Sequence, residues 1–298
     1  MRVFVTGATG FIGQATVKEL IGAGHSVLGL CRSPAKAAAL AAAGAEIHPG
    51  SLEDAASLKA GAARADGVIH LAFNHDFSQY AANCEDDRRV IAALGAALAG
   101  SSKPLIVTSG TGMARAAEGQ PAREDDPAIG ADTIPRAASE EAAAALAADG
   151  INVGIVRLPQ VHDRQRQGLV SPAIDAYRDK GACAYIGEGN NRWPATHVTD
   201  VARLYRLAIE KAEPDARYHA VAEEGVTMRA IAETLGRRLM LPVKSIAAEE
   251  AFAFFGWLGM FAGHDSPASS EQTRERLGWT PTGPGLLADL EQLEMASG

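Results

Sequence analysis

Three glycines at fixed spacing are the first residues in this chain whose types suggest chemistry. The segment TGATGFIG at residues 6–13 places Gly7, Gly10 and Gly13 directly behind an apolar run and ahead of a stretch of helical composition. A glycine turn that leaves a strand and opens a helix aims backbone N–H groups and the positive end of the helix dipole at one point, where a pyrophosphate binds. Gly7 then permits the tight turn, Gly10 the close approach of backbone to phosphate, and Gly13 the packing of helix on sheet; Thr9, Phe11 and Ile12 complete the cradle. The second signal is Arg32, 19 positions after Gly13, at the end of VLGLCR. A site for NAD usually carries an acid about 20 residues past the glycines, whereas an arginine there suits the 2′-phosphate of NADP. Cys31-Arg32-Ser33 contains no acid, which predicts NADP rather than NAD. Cys31, Cys84 and Cys183 form no CxxC, and His70 and His75 do not present two ligands from one helix face. Neither a disulfide framework nor a metal site is expected.

Such a turn needs a sheet to carry it. Apolar runs at 2–6, 26–31, 46–48, 67–72, 105–108 and 152–157 alternate with helical-length stretches at 13–23, 52–63, 84–99 and 139–149. That alternation predicts an α/β fold, a doubly wound parallel sheet covered on both faces. Beyond residue 157 the pattern predicts a loop at 158–169, a helix near 171–180 and a short apolar segment at 182–186. There follow a helix at 198–211, a strand at 218–222, a helix from an N-cap at Thr227 to about 238, and a strand at 241–246. No long Gly/Ser or Pro linker interrupts the chain. The expected organisation is therefore a dinucleotide-binding core at 1–157, rejoined by 198–222, with a small C-terminal substrate-binding lobe built from 158–197 and 223–298. The stretch AFAFFGWLGMFAG at 251–263 falls short of the ~20 residues that span a bilayer and reads as a buried helix, a substrate lid or an oligomer contact. With 298 residues, 47% hydrophobic, and a net charge of −8, neither a nucleic-acid nor a membrane partner is expected. The N-terminus carries no apolar leader, so a reducing cytoplasm is the expected compartment.

At this point the residues resemble a known family. TGATGFIG is similar to the glycine motif of the extended and atypical short-chain dehydrogenases/reductases, which bind nicotinamide dinucleotides on a Rossmann fold, and the resemblance covers nearly the whole chain. Ser51-Leu52 stands where the family reads Asp-Leu beside the adenine. His70-Leu71-Ala72-Phe73 resembles its H-x-A turn beside ribose and pyrophosphate, and Leu158 opens a segment similar to its nicotinamide-side loop. NRWPATHVTDVARL at 191–204 and SSEQTRERLGWTP at 269–281 resemble later segments of extended members, and a homodimer is a family-level expectation.

The family's usual chemistry uses a Ser or Thr after the fifth strand and a Tyr-x-x-x-Lys pair. In LIVTSGTGM the resemblance assigns Ser109 to hold the substrate oxygen, with Thr108 beside it. The pair is missing: in DTIPRAASEEAAAALA the Lys position falls on Arg136 and the Tyr position on Asp132. Arg136 can bind ribose hydroxyls or an anion but cannot transfer a proton. Relocated donors are sought in His75, Tyr80 and His162, on segments that border a nicotinamide in this fold; of these His75 is the chosen candidate. Arg164, Arg166, Arg192 and Trp193 are candidates to line the pocket for a polar substrate, and Phe252, Phe254, Phe255 and Trp257 for an apolar one. The resemblance implies an NADP-dependent oxidoreductase acting on a small carbonyl/alcohol pair. A turnover-free redox sensor of NmrA-like type and a sugar-nucleotide epimerase/dehydratase stand as alternatives.

Overall fold

The computed structural model describes residues 1–294. The first half winds as β1 (Arg2–Thr6), α1 (Phe11–Gly22), β2 (Ser26–Cys31), α2 (Pro34–Ala42), β3 (Glu46–Pro49), α3 (Ala55–Ala63), β4 (Gly67–His70), α4 (Tyr80–Ala96), β5 (Leu105–Gly110), α5 (Ala138–Ala148) and β6 (Val153–Leu158). The second half continues as β7 (Gln160–His162), α6 (Val170–Lys180), β8 (Cys183–Ile186), β9 (Arg192–His197), α7 (Val198–Lys211), β10 (Arg217–His219), β11 (Glu223–Thr227), α8 (Met228–Leu239) and β12 (Val243–Ile246). The short helices α9 (Ala251–Phe255), α10 (Gly259–Ala262), α11 (Glu271–Leu277) and α12 (Leu286–Glu291) follow.

The seven-stranded sheet has the order β10-β6-β5-β4-β1-β2-β3 with every pairing parallel, the doubly wound arrangement expected. Its central strands are buried on both faces, which is why they read as continuous apolar runs. Val17 and Leu20 of α1 pack with Val201, Leu204 and Tyr205 of α7 on one face. Leu58, Val90, Ile91 and Leu146 from α3, α4 and α5 fill the other. A second apolar core, around Tyr177, Trp193, Phe254 and Leu290, joins α6, β9, α8, α9 and α12 beside the sheet.

Several boundaries differ from expectation. Residues 158–169 are not a plain loop, because β7 pairs in parallel with β9, which in turn pairs with β11. Those strands are short and of mixed polarity, and α2 is dominated by alanine, so none of the four showed a period. The fourth strand stops at His70, before the turn at 71–79, whereas α4 begins at Tyr80 rather than Cys84. Thr227 does cap α8, its hydroxyl accepting from the Ala230 N–H at 3.3 Å. Residues 251–263 form a broken strap instead of one helix, because Gly256 turns to φ +58°. Among the described residues no helix is long and apolar enough to cross a membrane.

The connection between β5 and α5 is closed by the far end of the chain. Ala122 N–H donates to Pro267 O and Ser269 N–H to Ala122 O, both at 2.9 Å. Glu124 Oε1 accepts from the N–H and hydroxyl of Thr273 at 2.8 and 2.6 Å.

Candidate functional site

At the carboxyl ends of the strands lies a cavity of about 780 Å³. Its floor is the glycine turn. Gly7 sits at φ +68°, where a Cβ would lie 2.8 Å from Ala72 N, so only glycine lets the first and fourth βα turns meet. Gly10 N–H donates to Gly7 O at 2.8 Å, and a Cβ on Gly13 would lie 1.9 Å from that same oxygen. Gly10 opens α1 with no side-chain cap and no acid in the first turn, which leaves the helix end free for an anion. Thr9, Phe11 and Ile12 line this floor, Ser51 and Leu52 one wall, and Leu71, Ala72, Phe73 and Leu158 the opposite reach. A dinucleotide fits what is present: a cradle that side chains would fill, and unpaired helix N–H groups.

At the β2 end the cavity is lined by Arg32, Ser33 and Lys36. The Arg32 side chain is 79% exposed, and Glu53, also lining, stands 3.9 Å away. A pair this exposed holds little energy, so the guanidinium is free to turn to a ligand. The Ser51 hydroxyl and the Glu53 backbone, with Arg32 as a weaker influence, keep the Glu53 carboxyl below its ordinary pKa.

At the other end His75 reaches the cavity, edge-on to Phe73 at 5.5 Å and to Phe77 at 6.2 Å. Partial burial lowers its pKa below 6.5 and the Arg136 charge adds to this, with the Phe73 backbone opposing. Trp257 comes down from the strap and stacks on Phe77, centroids 4.3 Å apart and planes 15° from parallel. Tyr80 leans on Phe77 from outside the lining, its phenol raised in pKa by burial.

Thr108, Ser109 and Arg136 are absent from the lining. Thr108 donates its hydroxyl to His70 O at 2.6 Å and meets the Tyr205 hydroxyl at 2.7 Å. Ser109 Oγ is buried facing the Glu140 carboxylate and makes no hydrogen bond of normal geometry. Arg136 runs behind Phe73, 4.3 Å from its ring, and donates to Asp87 Oδ2 and Thr108 O, both at 3.0 Å. Asp87, only 4% exposed, is the hub that sequence reasoning missed. It also holds His70 Nε2 at 2.8 Å, and His70 Nδ1 meets Thr6 Oγ1 at 2.7 Å. Burial opposes the Asp87 charge, but His70, Arg136 and Ser139 outweigh it and keep the carboxyl below 3.8.

The remaining candidates are placed elsewhere. His162 is fully buried, its Nδ1 2.7 Å from Asp289 Oδ2, and burial lowers its pKa. His197 caps the start of α7, and Asp200 accepts from the Thr282 and Gly283 N–H groups. Of the four polar lining candidates none reaches the cavity: Arg192 pairs with Asp265 at 2.8 Å, Trp193 is in the second core, Arg164 lies 3.9 Å from Asp289, and Arg166 sits over Phe11. Of the aromatic four, Trp257 alone lines it, while Phe254 and Phe255 are buried and Phe252 is exposed. Among the described residues, no group of three or more metal-ligating side chains converges.

The sequence model of the NAD dependent epimerase/dehydratase family matches residues 3–222. The chain belongs to that family. Its fold is that of the family's nicotinamide-dinucleotide-binding members: the dTDP-glucose 4,6-dehydratase DesIV from Streptomyces venezuelae, solved with NAD and TYD bound, superposes with a TM-score of 0.78. That match is at 19% identity over 98% of this chain and 96% of that one. The Schizosaccharomyces pombe protein C2A9.02 is 46% identical over 291 residues, 97% of this chain and 98% of that protein. The 2-alkyl-3-oxoalkanoate reductase of Stenotrophomonas maltophilia is 29% identical over 232 residues, 72% of this chain and 67% of that protein.

Proposed function

We propose that this epimerase/dehydratase-family protein is an NADP(H)-dependent oxidoreductase for a small carbonyl/alcohol pair, with His75 as its proton-transfer group. The observation that carries the reading is one cavity with Arg32 and Lys36 at one end, the Gly7–Gly13 turn in the middle and His75 at the other. The glycine turn and α1 would hold the pyrophosphate, and Arg32 and Lys36 a 2′-phosphate. When bound, the nicotinamide supplies or takes up a hydride. His75 exchanges the proton at the substrate oxygen. Phe73 and Phe77 stand edge-on to the imidazole. The relative that carries a reductase name supports the same class of reaction.

Arg32→Ala is expected to weaken NADPH binding by about tenfold or more while NADH binding stays near wild type, since a charge-assisted contact to phosphate is worth about 1.5–3 kcal/mol. Fluorescence titration with both cofactors measures this, and equal losses for the two would return NAD as the partner. Carbonyl reduction needs the imidazolium, so kcat/KM is expected to fall as pH rises through the His75 pKa, which lies below 6.5; alcohol oxidation should rise through the same range. His75→Asn should erase that limb and cost roughly 10²-fold or more. A limb unchanged in the variant would move the donor role elsewhere.

The commitment of Arg136 to Asp87 and the position of Ser109 outside the cavity favour a second reading, a redox sensor that binds NADP(H) without turnover. Tight NADPH binding with no oxidation by any carbonyl compound would select it.

A further inference from the structure

We infer that the substrate end of the cavity takes an uncharged, flat, apolar carbonyl compound laid against the Phe77–Trp257 stack, with Trp257 setting that selectivity. This rests on the cavity being a dinucleotide-dependent carbonyl site, as proposed above. Past Phe73 the lining is Phe77, Leu158, Pro159, Leu169, Pro172 and Trp257, with Asn74, His75 and Gln160 as the polar groups near them. Gln160 is already spent: its carbonyl accepts from Leu169 N–H at 3.0 Å and its amide donates to Gln167 O.

Charge argues the same way. Among the described residues that line the cavity, Arg32 and Lys36 are the only arginine and lysine and Glu53 the only acid, and all three stand at the β2 end. Two arginines that would serve an anionic substrate are held away, Arg136 by Asp87 and Arg192 by Asp265, while Arg166 stands over Phe11 at the glycine turn and not at the Trp257 end. A nucleoside diphosphate placed at the Trp257 end would lose water from two charges and gain no cation, which is strongly unfavourable.

The strap is built to present the indole. Gly256 at φ +58° breaks it, so that Phe254 and Phe255 enter the second core while Trp257 faces Phe77 with Phe261 edge-on behind it at 6.3 Å. An aromatic wall of this kind rewards a ligand with a flat apolar face. His75, on the same wall, supplies a hydrogen-bonding group for one polar atom.

The test is calorimetry on the full chain. NADP⁺ is titrated first, then 2-naphthylmethanol into the NADP⁺ complex, with UDP-glucose as the competing class. We expect 2-naphthylmethanol to bind and UDP-glucose neither to bind nor to displace it. Trp257→Ala should weaken the naphthyl ligand about tenfold, the loss of one aromatic contact and its burial, and Trp257→Phe should recover most of that. If Trp257→Ala loses NADP⁺ binding through misfolding, Phe77→Leu gives the reading, with a loss of about fivefold expected from removing half of the stack. NADP⁺ binding with no naphthyl binding, an unchanged affinity in variants that still bind NADP⁺, or displacement by UDP-glucose overturns the substrate class alone. No uptake of NADP⁺ or NADPH by the wild type overturns the proposed function and this inference with it.

Discussion

Gly13→Ala is expected to abolish dinucleotide binding, lowering NADPH affinity at least about 100-fold and stability by about 3 kcal/mol. The added Cβ would lie 1.9 Å from Gly7 O, 2.8 Å from Gly7 C and 2.9 Å from Ala8 Cα. All three are backbone atoms of the turn itself, so no side chain can rotate aside. Relief comes only from lifting α1 off β1 or from opening the turn, and either one disperses the N–H groups that converge on the phosphates. The neighbouring glycines grade the effect. A Cβ on Gly10 meets the same oxygen at 3.2 Å, a contact that a small shift relieves, and one on Gly22 meets nothing within 4 Å. Gly10→Ala should therefore cost less affinity, and Gly22→Ala should be neutral or slightly stabilising through the helix propensity of alanine. NADPH titration and denaturant melts of the three variants give that ranking, and a Gly13→Ala protein that binds as wild type would show the turn not to be the phosphate site.

The second large effect concerns Arg157, which has no exposed surface. Its guanidinium grips Glu140 through two hydrogen bonds of 2.8 and 2.7 Å, and the carboxylate is 4% exposed. Its Nη1 reaches Glu124 O at 3.4 Å and His219 Nε2 at 3.3 Å. Removing one charge of such a pair strands the other away from water, at a cost of about 3–5 kcal/mol. Glu140→Gln is expected to lose that much in urea denaturation. Arg157→Met combined with Glu140→Leu should lose less than the sum of the single changes, because neither charge is then left alone. Burial alone would raise the Glu140 pKa, but the hydrogen bonds and charge of Arg157 outweigh it and hold the carboxyl below 4.5. A carboxyl lowered on folding adds stability that is complete above its unfolded value of 4.5 and lost as pH falls through the lower, folded value. The wild type should lose that increment in acid and Glu140→Gln should not, so parallel pH profiles for the two proteins would count against the ion pair as its source.

What could be read in advance followed from how local each signal is. The glycine turn and the buried parallel strands declare themselves within a few residues, since turn geometry and strand burial are short-range properties, and Arg32 at the end of β2 does line the cavity. Arg136 was assigned to ribose hydroxyls or an anion, but the partner it has is Asp87, 49 positions earlier, in the acidic and basic run EDDRR of α4. That run reads as a solvated helix face, and nothing local says that Asp87 turns inward while Asp86 and Arg89 turn out. Ser109 lay at the strand end the family pattern indicates, yet strand alternation aims its hydroxyl at Glu140 and not at the cavity. Trp257 was legible as an aromatic and illegible as a position, because the Gly256 break that swings it toward Phe77 is set by packing in the second core.

The stitching of Ala122 and Glu124 to Pro267, Ser269 and Thr273 has a consequence for the order in which this molecule is made. Glu124 and Thr273 are 149 positions apart. At a synthesis rate of about 5–20 residues per second, the β5–α5 connection waits roughly seven to thirty seconds on the ribosome before the segment that clasps it exists. The glycine turn and the strands up to β6 are complete in sequence while Glu124 still lacks Thr273, so a nascent chain can form the cavity floor before the β5–α5 connection is latched. A ribosome-stalled chain ending near residue 265 should then be cut by protease within 114–128, and the released full-length chain should resist at the same sites.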